Sequence, residues 1–170
     1  MKKNVLFIET GQYGGGSFNA LNNMIDHFKN VKPVIIYFNE KKFINIQKKK
    51  NIQCYLLKDY VYSLTVNKYL RKFLNRLNLI ISNYLPSFSV FFERIIHNNS
   101  INKIKKIIIE HNVDTIHTNV SVARDFFVVF CIKKKIKLFG HLRSPKNQLL
   151  NRYKSNIINN NYTNIIAASE

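Results

Sequence analysis

The chain begins with a short apolar run, KNVLFIE (3–9), which passes through TGQYGGGS (10–17) into apolar residues at helical spacing: Phe18, Leu21, Met24, Ile25 and Phe28. This opening leaves few folds available. A strand that is apolar along its length must be covered on both faces, which places it inside a parallel sheet with helices above and below. Ser17, just ahead of the periodic residues, is the expected helix N-cap. Four of the five glycines of the chain (Gly11, Gly14, Gly15 and Gly16) fall in the loop. Ordering three consecutive glycines carries a high entropic cost, so the loop implies that something comes close to its backbone.

The rest of the sequence repeats the alternation. PVIIYF (33–38), QCYLL (53–57), DTIHT (114–118), IKLFGHL (136–142) and NIIAAS (164–169) read as further strands, and SVARDFFVVFCIKKK (121–135) as a helix between two of them. Strands alternating with helices predict an α/β fold: a doubly wound, Rossmann-like parallel sheet. A length of 170 residues fits a single domain over 1–170. Residues 59–111 break the rhythm and read as a helical insertion, interrupted near YLPSF (84–88) and NNS (98–100).

Charge is concentrated in that middle third. The chain carries +18, and 41–106 holds 14 basic residues against Asp59 and Glu93. Such an excess implies an anionic partner, whether nucleic acid, an acidic membrane surface or a phosphorylated substrate; Lys-, Asn- and Ile-rich usage also follows from AT-rich coding. Over 68–84, Leu70, Phe73, Leu74, Leu77, Ile80, Ile81 and Tyr84 share one helical face, with Lys68, Arg71, Lys72, Asn75 and Arg76 opposite. Leu79 lies inside the basic arc and is a candidate membrane-inserting residue; the bland alternative is a core face opposed to a solvated one. Cys54 and Cys131 sit far apart in apolar runs, which predicts reduced, buried thiols and a cytoplasmic protein. The longest apolar runs are far too short to span a bilayer. His27, His97 and His111 have no partner spacing and read as surface residues. Without an HExxH or a carboxylate cluster no metal is expected, and without a G-x-S-x-G elbow neither is a serine hydrolase.

A glycine loop between a first strand and its helix suits a phosphate, because bare N–H groups and the positive helix end favour an anion. Two known versions fail here. A P-loop needs GxxxxGK[ST], but Ser17 follows Gly16 directly with no lysine; a dinucleotide fingerprint needs GxGxxG, but from Gly14 and Gly16 the third position is Asn19. A merely tight turn is the simpler alternative. Ligands of open parallel sheets bind beyond the carboxyl ends of the strands. Three segments reach that edge: the glycine loop, HTNVS (117–121) and HLRS (141–144). His117, Thr118 and Asn119 offer donors and acceptors, His141 can bond or carry a proton, and Arg143 can pair with an anion. Each also has a structural reading: a carbonyl-capped strand end for His141, a helix N-cap for Asn119, a loop anchor for Arg143.

Taken together, the glycine loop, the D-x-I-H-T-N strand end, KLFGHLRS and the final NIIAASE resemble the N-terminal, acceptor-side half of a GT-B glycosyltransferase of family 4. The resemblance implies retaining transfer of a sugar from a nucleotide-sugar donor, as co-substrate and with no other cofactor, to a glycan or lipid-linked acceptor in cell-envelope or surface-polysaccharide assembly. It places Gly14, Gly15, Gly16 and Ser17 against the donor phosphates or the acceptor, His141 facing the transferred sugar as the catalytic residue, and Thr118, Asn119 and Arg143 along the substrate cleft. Lys68, Arg71, Lys72, Arg76 and Leu79 match membrane-facing helices of such enzymes, which implies peripheral attachment at the inner membrane face. The family's C-terminal donor domain is absent from these residues, so the isolated chain is expected to be inactive or to work with a separate chain. A non-catalytic basic domain on a membrane or nucleic acid is the alternative. Nucleic acid is the less favoured of the two, because the basic residues are not interleaved with aromatics on a known binding motif.

Overall fold

Six strands form one sheet with every neighbouring pair parallel, in a computed structural model that describes residues 2–11, 16–38, 51–57, 80, 84–123, 125–132, 135–142 and 152–167. They are β1 (Lys3–Glu9), β2 (Val31–Phe38), β3 (Gln53–Leu57), β4 (Thr115–Thr118), β5 (Lys137–Leu142) and β6 (Asn164–Ala167), in the spatial order β3-β2-β1-β4-β5-β6. The helices are α1 (Gly16–Asp26), α2 (Pro86–Ile96), α3 (Asn98–Glu110) and α4 (Arg152–Asn161), with a short 3₁₀ helix at Phe126–Cys131. This is the doubly wound α/β arrangement that the strand pattern predicts.

Alternate residues of the strands feed two apolar layers. Val5, Phe7, Ile35 and Tyr37 face α1, which buries Phe18, Leu21 and Ile25. Leu6, Ile8, Val34, Ile36, Ile116 and Leu138 face the larger layer made by α3, the 3₁₀ helix and α4. Burial on both faces is why the strands read as continuous apolar runs rather than alternating ones.

The structure corrects the sequence reading at several points. Among the described residues of 121–135, the segment expected as a helix, the helical turns are confined to the 3₁₀ turns Phe126–Cys131. Its aromatic and β-branched residues are weak helix formers, and its six residues are packed almost wholly inside the core rather than on one stripe. Within the expected helical insertion, α2 starts at Pro86, whose missing N–H suits the first turn. The second break falls on the single residue His97, which caps both α2 and α3. His97 is not a surface residue: it is buried and stacks on Phe127 with ring centroids 4.5 Å apart. His111 is also half-buried, its Nε2 lying 2.6 Å from the Tyr55 hydroxyl. Ser17 lies inside α1, one residue past its start, so it does not occupy the N-cap. Helix α4 carries no clear apolar period in the sequence because Lys154 occupies a core-facing position. That lysine is buried against Glu93 and sits 5.0 Å over the Phe126 ring.

Cys131 is buried beside Phe127 and Ile101, and burial pushes its thiol up from 9.0 to about 12. Burial likewise raises the Tyr162 phenol. A folded-state pKa above the unfolded one means that the native protein keeps a proton the unfolded chain gives up. The associated stability is complete below pH 9.0 and is lost as the pH climbs towards about 12. Denaturant midpoints measured across that window should fall, and Cys131→Ala should flatten the lower part of the fall. At neutral pH, Cys131 should react with a thiol reagent only after unfolding. Reaction at the same rate in the native protein would contradict the burial.

Candidate functional site at the carboxyl edge of the sheet

Chain progression across the sheet reverses between β1 and β4, which pair side by side with Ile8 opposite Thr118. Their carboxyl ends therefore form the switch point, where open α/β sheets leave a crevice. The residues arriving there are Glu9 and Thr10 from β1, Gly16 and Ser17 from the start of α1, and Thr118 and Asn119 from β4. His141 comes from β5, and its chain neighbour Gly140 lies opposite Thr118.

Glu9 organises the edge. Its carboxylate is buried, and a buried acid must have its lone pairs filled. Oε1 accepts the Gly11 N–H at 2.7 Å and the Ser17 hydroxyl at 3.3 Å, while Oε2 accepts from Asn119 Nδ2. The same Nδ2 donates to the Ser17 carbonyl at 2.8 Å, and the Asn119 backbone N–H donates to Ile8 O at 3.0 Å. One carboxylate thus ties the entry to the glycine loop, the first turn of α1 and the end of β4. The space at Gly11 is tight: a Cβ there would stand 2.5 Å from Glu9 Oε1, so the carboxylate would have to shift to make room. At Gly16, by contrast, a Cβ would meet nothing within 4 Å.

A second buried acid repeats the device. Asp125 accepts from the Thr10 hydroxyl at 2.6 Å and from the Ser121 N–H at 3.3 Å, fixing the turn after β4 to the end of β1. Thr118 reaches the Phe139 carbonyl and the Tyr162 hydroxyl, each at 3.4 Å. His141 is half-buried; its carbonyl accepts from Val122 N–H at 2.9 Å, and its ring meets His117 edge-on with centroids 4.9 Å apart. His117 in turn contacts Phe7 at 5.4 Å, so the plane of His141 is buttressed from behind.

Of the residues singled out from sequence, Gly16, Ser17, Thr118, Asn119 and His141 come together at this edge. Asn119 is fully buried, with its amide N–H groups committed to Glu9 and Ser17, so within this chain it is a positioning residue. Gly14, Gly15, Arg143, Lys68, Arg71, Lys72, Arg76 and Leu79 lie outside the described residues. Sequence reasoning missed Glu9 and Asp125, while His117, expected as a donor or acceptor at the edge, packs edge-on against Phe7 and His141. Glu9 had a signal: it is an acid closing a run otherwise apolar and destined for burial, a position that demands partners.

No family model matches the sequence, and no curated protein matches it. Solved structures do match the fold. HepE of Anabaena in complex with UDP superposes with a TM-score of 0.59 at 16% identity, over 99% of this chain and 38% of its own. The same protein with UDP-glucose gives 0.59 at 16%, over 98% and 37%. MurG of Acinetobacter baumannii gives 0.56 at 10%, over 99% and 42%. The fold is thus the Rossmann-like α/β fold found in GT-B glycosyltransferases, as the sequence resemblance implies, and the chain spans about 40% of the length of the structures it matches.

Proposed function

We propose that this chain forms the acceptor-side wall of a glycosyltransferase site. It would take part in retaining transfer of a sugar from a nucleotide-sugar donor to a glycan or lipid-linked acceptor in building the cell surface. The observation that carries this reading is the convergence of Ser17, Thr118, Asn119 and His141 at the switch point, with Ser17 and Asn119 held there by Glu9. The nature of the donor draws support from HepE, which has been captured with UDP and with UDP-glucose. His141, held by its neighbour His117, is the group we assign to the transferred sugar, where an imidazole can orient a hydroxyl or stabilise developing positive charge. The base, ribose and diphosphate would be held mainly by a further domain, in the same chain or another, so these 170 residues alone should turn over negligible nucleotide sugar.

Gly16 supplies the test. A methyl there meets no atom of the described residues within 4 Å, so Gly16→Ala should leave thermal stability within about 0.5 kcal/mol of wild type, or raise it slightly. If the open space is clearance for a ligand, the same methyl should weaken UDP-glucose binding. In an amide NMR titration of the labelled protein, wild type should shift at Ser17, Asn119 and His141 with a Kd of about 1 mM or weaker. The variant should need several-fold more ligand. Absence of shifts at these residues in wild type would overturn the reading; equal titration by both proteins would remove Gly16 from the site.

A further inference from the structure

Parallel register sets Phe7, His117 and Phe139 side by side across β1, β4 and β5. Side chains alternate between faces along a strand, so Glu9, Asn119 and His141, two residues on, form the next row of the same face. That face is the one α1 covers, since Phe7 belongs to its apolar layer. His141 thus stands at the rim of the crevice, with His117 one row behind it. His117 is 7% exposed, closed in edge-on by the rings of Phe7 at 5.4 Å and His141 at 4.9 Å, whereas His141 is half-buried.

Two imidazoles this close oppose each other's charge. At an effective dielectric constant of about 20, a cation on one ring lowers the proton affinity of the other roughly three-hundredfold. The surroundings decide which ring keeps the single proton. Burial among aromatic rings disfavours a charged His117. His141 keeps part of its hydration and has the Glu9 carboxylate in its own row, with Asn119 between them. The other charged groups of the elements packed here stand elsewhere. Asp26 and His27 lie at the far end of α1, Asp114 just ahead of β4 and Lys137 at the start of β5, while Asp125 is bonded to Thr10 beside the other apolar layer. Strand β6 has no charged residue over Asn164–Ala167. Arg143, two positions past His141, lies outside the described residues. We propose that His117 and His141 titrate as one unit that takes up a single proton, on His141, and that this proton regulates the affinity of the site for an anionic sugar donor. The regulation rests on the sugar-transfer reading; the coupled pair does not.

Histidine ring NMR followed against pH, without ligand, tests the pair. In wild type His141 should take up its proton first, and His117 should stay neutral to at least about two pH units lower. His141→Phe keeps a ring in place and removes the charge, so His117 should then begin to protonate at least about one pH unit higher than in wild type. A role confined to packing would leave the His117 curve unmoved. The reciprocal His117→Phe should leave His141 with one simple step at the pH of its first wild-type step. Independent steps within about one pH unit of each other in wild type, an unmoved His117 in His141→Phe, or a displaced His141 step in His117→Phe would overturn the proposal. With UDP-glucose, wild type should bind more tightly as the pH falls through the His141 step, by at most about one decade in Kd per pH unit. His141→Phe should lose that dependence. Coupled titration without ligand-induced shifts at any pH would uphold the pair and overturn both the regulation and the sugar-transfer reading beneath it.

Discussion

Glu9→Ala is expected to lower unfolding free energy by about 4 kcal/mol, the largest loss from any single substitution at the sheet edge. The estimate follows from what the carboxylate holds. Its removal leaves the fully buried Asn119 amide without its acceptor, and likewise the Gly11 N–H and the Ser17 hydroxyl, which are partly buried. Each orphaned buried donor costs roughly 1–3 kcal/mol, less where the local structure relaxes. Glu9→Gln should cost less, because the amide oxygen can still accept from Gly11 and Ser17, but its NH₂ faces the NH₂ of Asn119. Urea unfolding should therefore rank wild type above Gln above Ala. In a double-mutant cycle with Asn119→Ala, the two losses should fall short of additive by about 1 kcal/mol or more, since both remove the same bond. Strict additivity would mean that the two side chains are not coupled. A loss below about 1 kcal/mol for Glu9→Ala would mean that the edge is not organised around this carboxylate.

The contrast between what the sequence reveals and what it hides is a contrast between local and distant information. KNVLFIE and QCYLL are strands with their ends as read, because burial on both faces writes itself into consecutive residues. The Glu9–Asn119 and Thr10–Asp125 bonds join residues more than a hundred positions apart and leave no periodic trace. Their partners become predictable only once β1 and β4 are known to be neighbours. Lys154 misleads for a related reason: its burial depends on Glu93 and Phe126, from α2 and the 3₁₀ helix, so α4 shows no apolar face in isolation. The 3₁₀ helix fails differently. FFVVFC is apolar on every side, and total burial erases the spacing by which a helix is recognised.

A glycine inside a strand is the one local clue to tight packing beside the site, and Gly140 carries the second large prediction. A Cβ there would lie 2.6 Å from Tyr162 Cε1 and 2.7 Å from Thr118 Oγ1, and closer still to Val122 Cγ1. Thr118 belongs to the neighbouring strand, Tyr162 follows α4, and Val122 is tied by its N–H to the His141 carbonyl. None of the three can retreat without moving an element of the fold, so the strain cannot be relieved by one rotamer. Overpacking of this kind costs about 3 kcal/mol, and Gly140→Ala should lose that much in urea unfolding. The nearest atom belongs to Val122, so adding Val122→Ala should recover part of the loss; the remaining deficit belongs to Tyr162 and Thr118. The displacement also bears on chemistry, since Gly140 immediately precedes His141 and pairs with Thr118. In the double variant, the edge-on contact between His117 and His141 should loosen even where stability is regained, visible as altered ring-proton shifts of both histidines in NMR. A Gly140→Ala protein as stable as wild type, with unshifted histidine resonances, would mean that β5 has room to move away from β4 and that His141 is not held in place by the packing around its neighbour.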